Sequence, residues 1–141
     1  MNRLAILLAV LPLYAFGFQR VIDLPVDVSA TSEVVKDIEF YQAESVQLNL
    51  YVKRNGAKVA LDSGLDVVWR AWVDGTPETL YINATGTVFN AASGQCRVSL
   101  TPAQANMTNQ TYRYTVQLYD GATYMGVGAS GELLVRHAPQ P

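Results

Sequence analysis

Residues 45–57 read SVQLNLYVKRNGA, and their pattern decides the fold class. Val46, Leu48, Leu50 and Val52 alternate with Gln47, Asn49, Tyr51 and Lys53, which gives a strand one oily face and one wetted face. Asn55-Gly56 follows, the pair that most readily takes positive φ at both central positions of a two-residue hairpin. The chain is therefore expected to return along Lys58 to Leu61.

The same grammar continues downstream. Asp66 to Val73 places Val67, Trp69, Ala71 and Val73 on one face and Val68, Arg70 and Trp72 on the other, with Trp69 the expected buried tryptophan. Asp74-Gly75 turns the chain, Thr79 to Ile82 reads as the next strand, and Gly86 with Ser93-Gly94 bracket a strand or bulge around Thr87 to Phe89. Cys96, Val98 and Leu100 then alternate inward. Thr101-Pro102-Ala103-Gln104 carries an N-cap, a first-turn proline and helix formers, predicting one short helical turn that crosses between sheets. Tyr112, Tyr114, Val116 and Leu118 form another inward row, Asp120-Gly121 a hairpin into Thr123 to Val127, and Leu133 and Val135 a closing strand. The tail from His137, with two prolines, is expected to fray.

Upstream the pattern changes. Met1-Asn2-Arg3 precedes an apolar run from Leu4 to Phe18 that includes Leu4, Ile6, Leu7, Leu8, Leu11 and Phe16, and Ala15 and Gly17 stand at −3 and −1 of a cleavage point after Gly17. This is the layout of an export leader. As a helix the run reaches only about 22 Å against a hydrocarbon core of about 30 Å, and Pro12 interrupts it. The rival reading is a retained peg that inserts into a partner or into lipid inside a particle. Residues 19–32, with Pro25 and scattered Asp, read as an extended linker. The expected organisation is a leader or peg over 1–18, the linker over 19–32, a β-sandwich over 33–137 and a tail over 138–141.

Composition narrows the function. A chain of 141 residues suits one domain, and a half-hydrophobic, 16% charged composition is that of a globular protein. Net charge is −2 and no Lys/Arg stripe could neutralise successive phosphates, so no nucleic-acid partner is expected. Cys96 is the single cysteine, and His137 the single histidine, far from it in sequence. Neither a metal site, a cofactor site nor a thiol nucleophile with its base is expected from them. Asp62, Asp66, Asp74, Glu78 and Asp120 fall at turns and strand ends, where carboxylates ordinarily bond to local backbone. The Asn-X-Thr tripeptides at Asn83, Asn106 and Asn109 are treated as products of composition. No catalytic residue is assigned, and the chain is not expected to be an enzyme. Tyr51, Trp72 and Tyr119 fall on the predicted outer faces and are the candidate interface residues, since flat aromatics that stay wet serve protein docking or sugar stacking.

The order of these features resembles the immunoglobulin-like N-terminal domain family of phage baseplate upper proteins and related tail-fibre attachment domains. The resemblance spans Lys36 to Arg136. It rests on Phe40-Tyr41-Gln42 leading into Val46 to Val52, the Asn55-Gly56 turn, Val59-Ala60-Leu61 before a Trp-bearing strand, Gly94 with Val98 to Pro102, then Tyr112 to Leu118 and Asp120-Gly121. Ala43-Glu44 stands where the family often has Gly-Asp, and Gln110-Thr111 replaces a Gly before the late Tyr. The strand pattern and the resemblance agree on an all-β, immunoglobulin-like antiparallel β-sandwich, which the apolar N-terminal run places behind a short apolar helix or leader. The resemblance implies an attachment module that assembles with other virion proteins, as homo- or hetero-oligomers; the apolar N-terminal segment, read from its own residues, is the one place a membrane contact is expected. The expected location is the virion. The alternative is an exported bacterial module, secreted or periplasmic after leader cleavage, that binds carbohydrate or a cell-surface partner.

Overall fold

A computed structural model of the chain describes residues 19–27 and 33–138. The leader or peg residues Leu4, Ile6, Leu7, Leu8, Leu11 and Phe16 lie outside the described residues. The strands are β1 (Gln19–Asp27), β2 (Glu33–Val35), β3 (Ile38–Tyr41), β4 (Ser45–Arg54), β5 (Ala57–Lys58), β6 (Asp66–Trp72), β7 (Leu80–Asn90), β8 (Gln95–Leu100), β9 (Thr111–Asp120) and β10 (Thr123–Arg136). One 3-10 turn, Ala91–Ser93, precedes β8.

The expected alternation is present throughout. Leu48, Trp69, Val98 and Val116 are each at most 1% exposed and share one core with Phe40, Tyr112, Tyr114 and Leu133. Phe40 meets Trp69 edge to face at 6.3 Å between ring centres. Asn55 and Gly56 take φ of 51° and 73°, and the hairpin pairs Arg54 with Ala57 as the sequence predicts.

The layering differs from the expected pair of facing antiparallel sheets. The strands form one ten-stranded sheet in the order β1-β4-β8-β7-β6-β9-β10-β2, with β3 also on β10 and β5 on β4. This sheet curls into a nearly closed barrel, and it is mixed: β1 runs parallel to β4, and β2 and β3 run parallel to β10. The continuity comes from β7. It pairs with β6 from Leu80 to Thr87 and with β8 from Thr87 to Asn90, so Thr87 has Asp66 on one side and Arg97 on the other. The corner is made at Gly86, where an added Cβ would overlap the Arg97 carbonyl oxygen and lie 2.7 Å from the Val98 Cα. Only glycine lets the two backbones approach so closely. What the sequence suggests are two short strands flanking Gly86 is one long strand bent there.

The segment expected to be a linker is also corrected in its first part. Gln19–Asp27 is a full strand, in unbroken register with β4 from Gln19 opposite Ser45 to Asp27 opposite Lys53. Leu24 and Val26 are buried and Ile22 packs against the core. Pro25 is tolerated because β1 is an edge strand, with a ladder on one side only.

The two edges of the sheet meet at a seam fastened by side chains. Lys36 Nζ donates to the Asp23 carbonyl at 2.9 Å, and Arg20 pairs with Glu44 at 2.9 Å while lying over the Tyr41 ring. Between β8 and β9, which are not neighbours, the Thr101 turn spans the barrel end. The Gln104 N–H donates to Thr101 Oγ1, and the Thr101 N–H to Gln104 Oε1, a reciprocal capping box. The turn stays a turn rather than a helix, and it lays Ala105 and Met107 over the core. His137 is also tied down, its Nδ1 2.8 Å from Gln42 Oε1.

Candidate functional site

Tyr51, Trp72 and Tyr119 are each half-buried on the outer surface, but the fold does not gather them. Tyr51 lies on β4 between Pro25 and Gln95, separated from β6 by β8 and β7. Trp72 pairs with Arg113 and Tyr119 with Asp66, at opposite ends of the β6–β9 ladder and so about 20 Å apart.

Tyr119 instead has a cluster of its own. The β9–β10 hairpin sets Tyr124 directly opposite, with ring centres 5.8 Å apart and planes tilted 45°. Arg70, one strand over on β6, holds its guanidinium 5.3 Å above the Tyr119 ring centre. Arg70 Nη1 donates to the Tyr119 hydroxyl at 3.0 Å, and that hydroxyl donates to Gln117 Oε1 at 3.1 Å. The ring is fixed from both sides. Beyond Tyr124 the register slips before Gly128, a bulge that carries exposed Met125 and places Gly126 at φ 70°. Tyr124 is 41% and Met125 46% exposed. A fixed tyrosine, a second exposed tyrosine, a cation and a pliable thioether make an amphipathic surface that loses little side-chain freedom on docking.

Sequence reading found Tyr119 and missed Arg70, Tyr124 and Met125. The signal was present in the Asp120-Gly121 turn, since a short hairpin there puts Tyr124 across from Tyr119. Arg70 needed the β6–β9 register, which no local pattern supplies.

A polar network covers the outer face of β1, β4 and β8. Gln47 Nε2 and Arg97 Nε both donate to Asn49 Oδ1, Asn49 Nδ2 donates to Asp23 Oδ1 at 3.0 Å, and Asn49 is only 5% exposed beneath them. Arg97 also lies 4.2 Å above the exposed Phe89 ring. These groups satisfy one another and form a structural cover.

A groove beside β3 and β10 is lined by Asp37, Ile38, Glu39, Thr111, Glu132 and Leu134. Its carboxylates are engaged: Arg136 pairs with Glu39 at 2.9 Å, Arg113 with Glu132 at 3.5 Å, and Asp37 Oδ1 accepts the Glu132 N–H. Among the described residues no group of three or more His, Cys, Asp or Glu is arranged to hold a metal ion, and no helix is long and apolar enough to cross a membrane. Cys96 is fully buried, and desolvation pushes its thiol up to about 12, which leaves it protonated at neutral pH.

No sequence-family profile matches the chain, and no curated protein matches it by sequence. Among solved structures it is similar to the N-terminal domain of ORF48 of phage TP901-1, with a TM-score of 0.54 at 12% identity, over 84% of this chain and 98% of that one. PbICP-C, solved in complex with falcipain-2, aligns with a TM-score of 0.47 at 11% identity, over 84% of this chain and 99% of that one. The first of these likenesses establishes that the chain has the fold of a phage protein domain.

Proposed function

We propose that this chain is a structural protein of a phage particle, an all-β attachment module that docks onto other virion proteins and performs no turnover. The observation that carries the proposal is the Tyr119–Tyr124–Arg70 cluster, where two aromatic rings and a guanidinium are presented together on one outer face, with exposed Met125 next along the chain. Interface energy concentrates in such aromatic and arginine anchors. The shared fold with a phage domain, and the order of motifs from Phe40 to Gly121, support the particle as the setting. In this reading the apolar residues Leu4 to Phe18 supply a second anchor to a partner or to lipid, and the net charge of −2 leaves nucleic acid outside the set of partners.

The test is incorporation. Peptides of this chain are expected in purified particles by mass spectrometry, and the double variant Tyr124→Ala, Met125→Ala is expected to fold normally but be incorporated at least tenfold less. Absence of the chain from particles, or wild-type incorporation of the variant, overturns the proposal.

A further inference from the structure

Several arginines on this surface find an acid of their own chain. Arg20 pairs with Glu44, Arg113 with Asp74 and Glu132, and Arg136 with Glu39, each within 3.5 Å. Arg70, in the aromatic cluster, does not. It is half-buried, and its one described hydrogen bond runs from Nη1 to the Tyr119 hydroxyl. Its Nε–Nη2 edge has no acceptor among the described residues, and that edge is the side of a guanidinium that grips a carboxylate through two parallel bonds. Asp66 shares the outer face of β6 but stands four residues away, about 13 Å along an extended strand. The direction of the guanidinium is set from beneath. The Tyr119 hydroxyl accepts from Arg70 and donates to Gln117 Oε1 at 3.1 Å. Gln117 lies opposite Gly128, where an added Cβ would come 3.0 Å from Gln117 Cγ, so the missing side chain gives Gln117 its place. A cation held in position before an anion arrives loses little freedom when it does.

We infer, resting on the docking reading above, that the free edge of Arg70 takes a single carboxylate, an Asp or Glu side chain of another virion protein, beside the exposed Tyr124 ring. Docking strips water from a guanidinium that is already half-buried, and a partner without a negative charge leaves it uncompensated. The fork geometry of the edge matches a carboxylate. Its surroundings restrict what else the partner carries. Asp66 stands directly across the β6–β9 ladder from Tyr119, Asp120 follows Tyr119 in the chain, and both are exposed. These two acids repel a run of negative charge, so a phosphate backbone or an acidic tail is rejected. The acid that enters is flanked by neutral or basic residues.

The test uses purified particles carrying the full chain with either of two substitutions. Arg70→Met keeps the apolar stem and removes the charge. It is expected to unfold cooperatively as the isolated chain but to be incorporated at least tenfold less than wild type. Arg70→Lys keeps the charge and is expected to be incorporated to an intermediate level, with an amine now at the site. When particles carrying it are treated with a water-soluble carbodiimide, which activates carboxylates for attack by amines, an amide cross-link from that amine to an Asp or Glu of a second virion protein is expected by mass spectrometry. Wild-type particles, whose guanidinium does not form this amide, are the control. Wild-type incorporation of Arg70→Met overturns the inference, as does a cross-link from Arg70→Lys that is missing or reaches only carboxylates of this chain. If Arg70→Met does not fold, the cross-link decides alone. Should Tyr124→Ala, Met125→Ala still lose incorporation in either overturning case, the docking reading survives without its carboxylate. Absence of the chain from particles overturns the docking reading itself, and this inference with it.

Discussion

Replacing Gly86 by alanine tests the corner that turns the strands into one continuous sheet. An ideal Cβ at this position overlaps the Arg97 carbonyl oxygen and lies 2.7 Å from both the Arg97 carbonyl carbon and the Val98 Cα. All three atoms belong to backbone held in the β7–β8 and β4–β8 ladders, so none can swing aside as a side chain would. The strands must part, which stretches the bonds around Thr87 and shifts buried Val98 and Cys96 in the core. Overpacking of this kind costs about 1–3 kcal/mol, and displacement of two fixed ladders places Gly86→Ala near the top of that range. The gain from removing a glycine from a strand interior, about 0.5–1 kcal/mol, offsets part of it. The net loss is then about 2 kcal/mol, or a fall in Tm of about 10 °C for a domain of this size. Urea unfolding followed by tryptophan fluorescence measures it, with a lower midpoint and an unchanged slope expected. Gly121→Ala is the control: no atom lies within 4 Å of its Cβ, so only the positive φ of 57° opposes it, at about 1 kcal/mol. Should Gly86→Ala prove no more harmful than Gly121→Ala, the close crossing of β7 and β8 is wrong, and with it the continuity of the sheet.

Four further outcomes are expected. Burial raises the Cys96 thiol from 9.0 to about 12, so the unfolded chain loses this proton first as pH rises. Stability should be insensitive to this group below pH 9 and fall between pH 9 and 12, with the slope reduced in Cys96→Ala. A thiol reagent at pH 8 should label Cys96 only after denaturant is added. Ala43 sits at φ 57°, a left-handed conformation that costs an L-residue about 1–2 kcal/mol, so Ala43→Gly should raise the urea midpoint by an amount equivalent to about 0.5–1 kcal/mol. Thr101→Ala removes the two bonds of the hydroxyl, from the Gln104 N–H and to Gln104 Oε1, while the Thr101 backbone N–H keeps its bond to Gln104 Oε1, and should lower stability by about 1 kcal/mol, as read by thermal unfolding.

Much of the strand plan is legible in sequence because alternation and turn chemistry are local. The rows Val46 to Val52, Val67 to Ala71 and Tyr112 to Leu118 are inward as expected, and Asn55-Gly56 makes its turn for the reason sequence supplies. The misreadings have physical causes. In β1 the alternation of Arg20, Ile22, Leu24 and Val26 was present, but Pro25 and two aspartates mask it, and parallel pairing with β4 has no turn to announce it. Whether strands close into one barrel or face each other as two sheets depends on a contact between Gly86 and Arg97, which sequence pattern does not encode. Ala43 shows the opposite case: the backbone there is left-handed, a conformation that suits glycine, and this chain fills it with a less suitable residue. The outer cluster was half legible. Tyr119 could be picked by its face, whereas its neighbours Tyr124 and Arg70 follow from hairpin register and cross-strand pairing.

Around most of its circumference the barrel is held by peptide groups, whose attraction for one another is little altered by dissolved ions. At the join between β1 and the β2–β3 side it is held by an ammonium on a carbonyl and by a guanidinium on a carboxylate. Dissolved salt weakens such partly exposed pairs. The wall therefore has one stretch whose strength is set by the surrounding electrolyte.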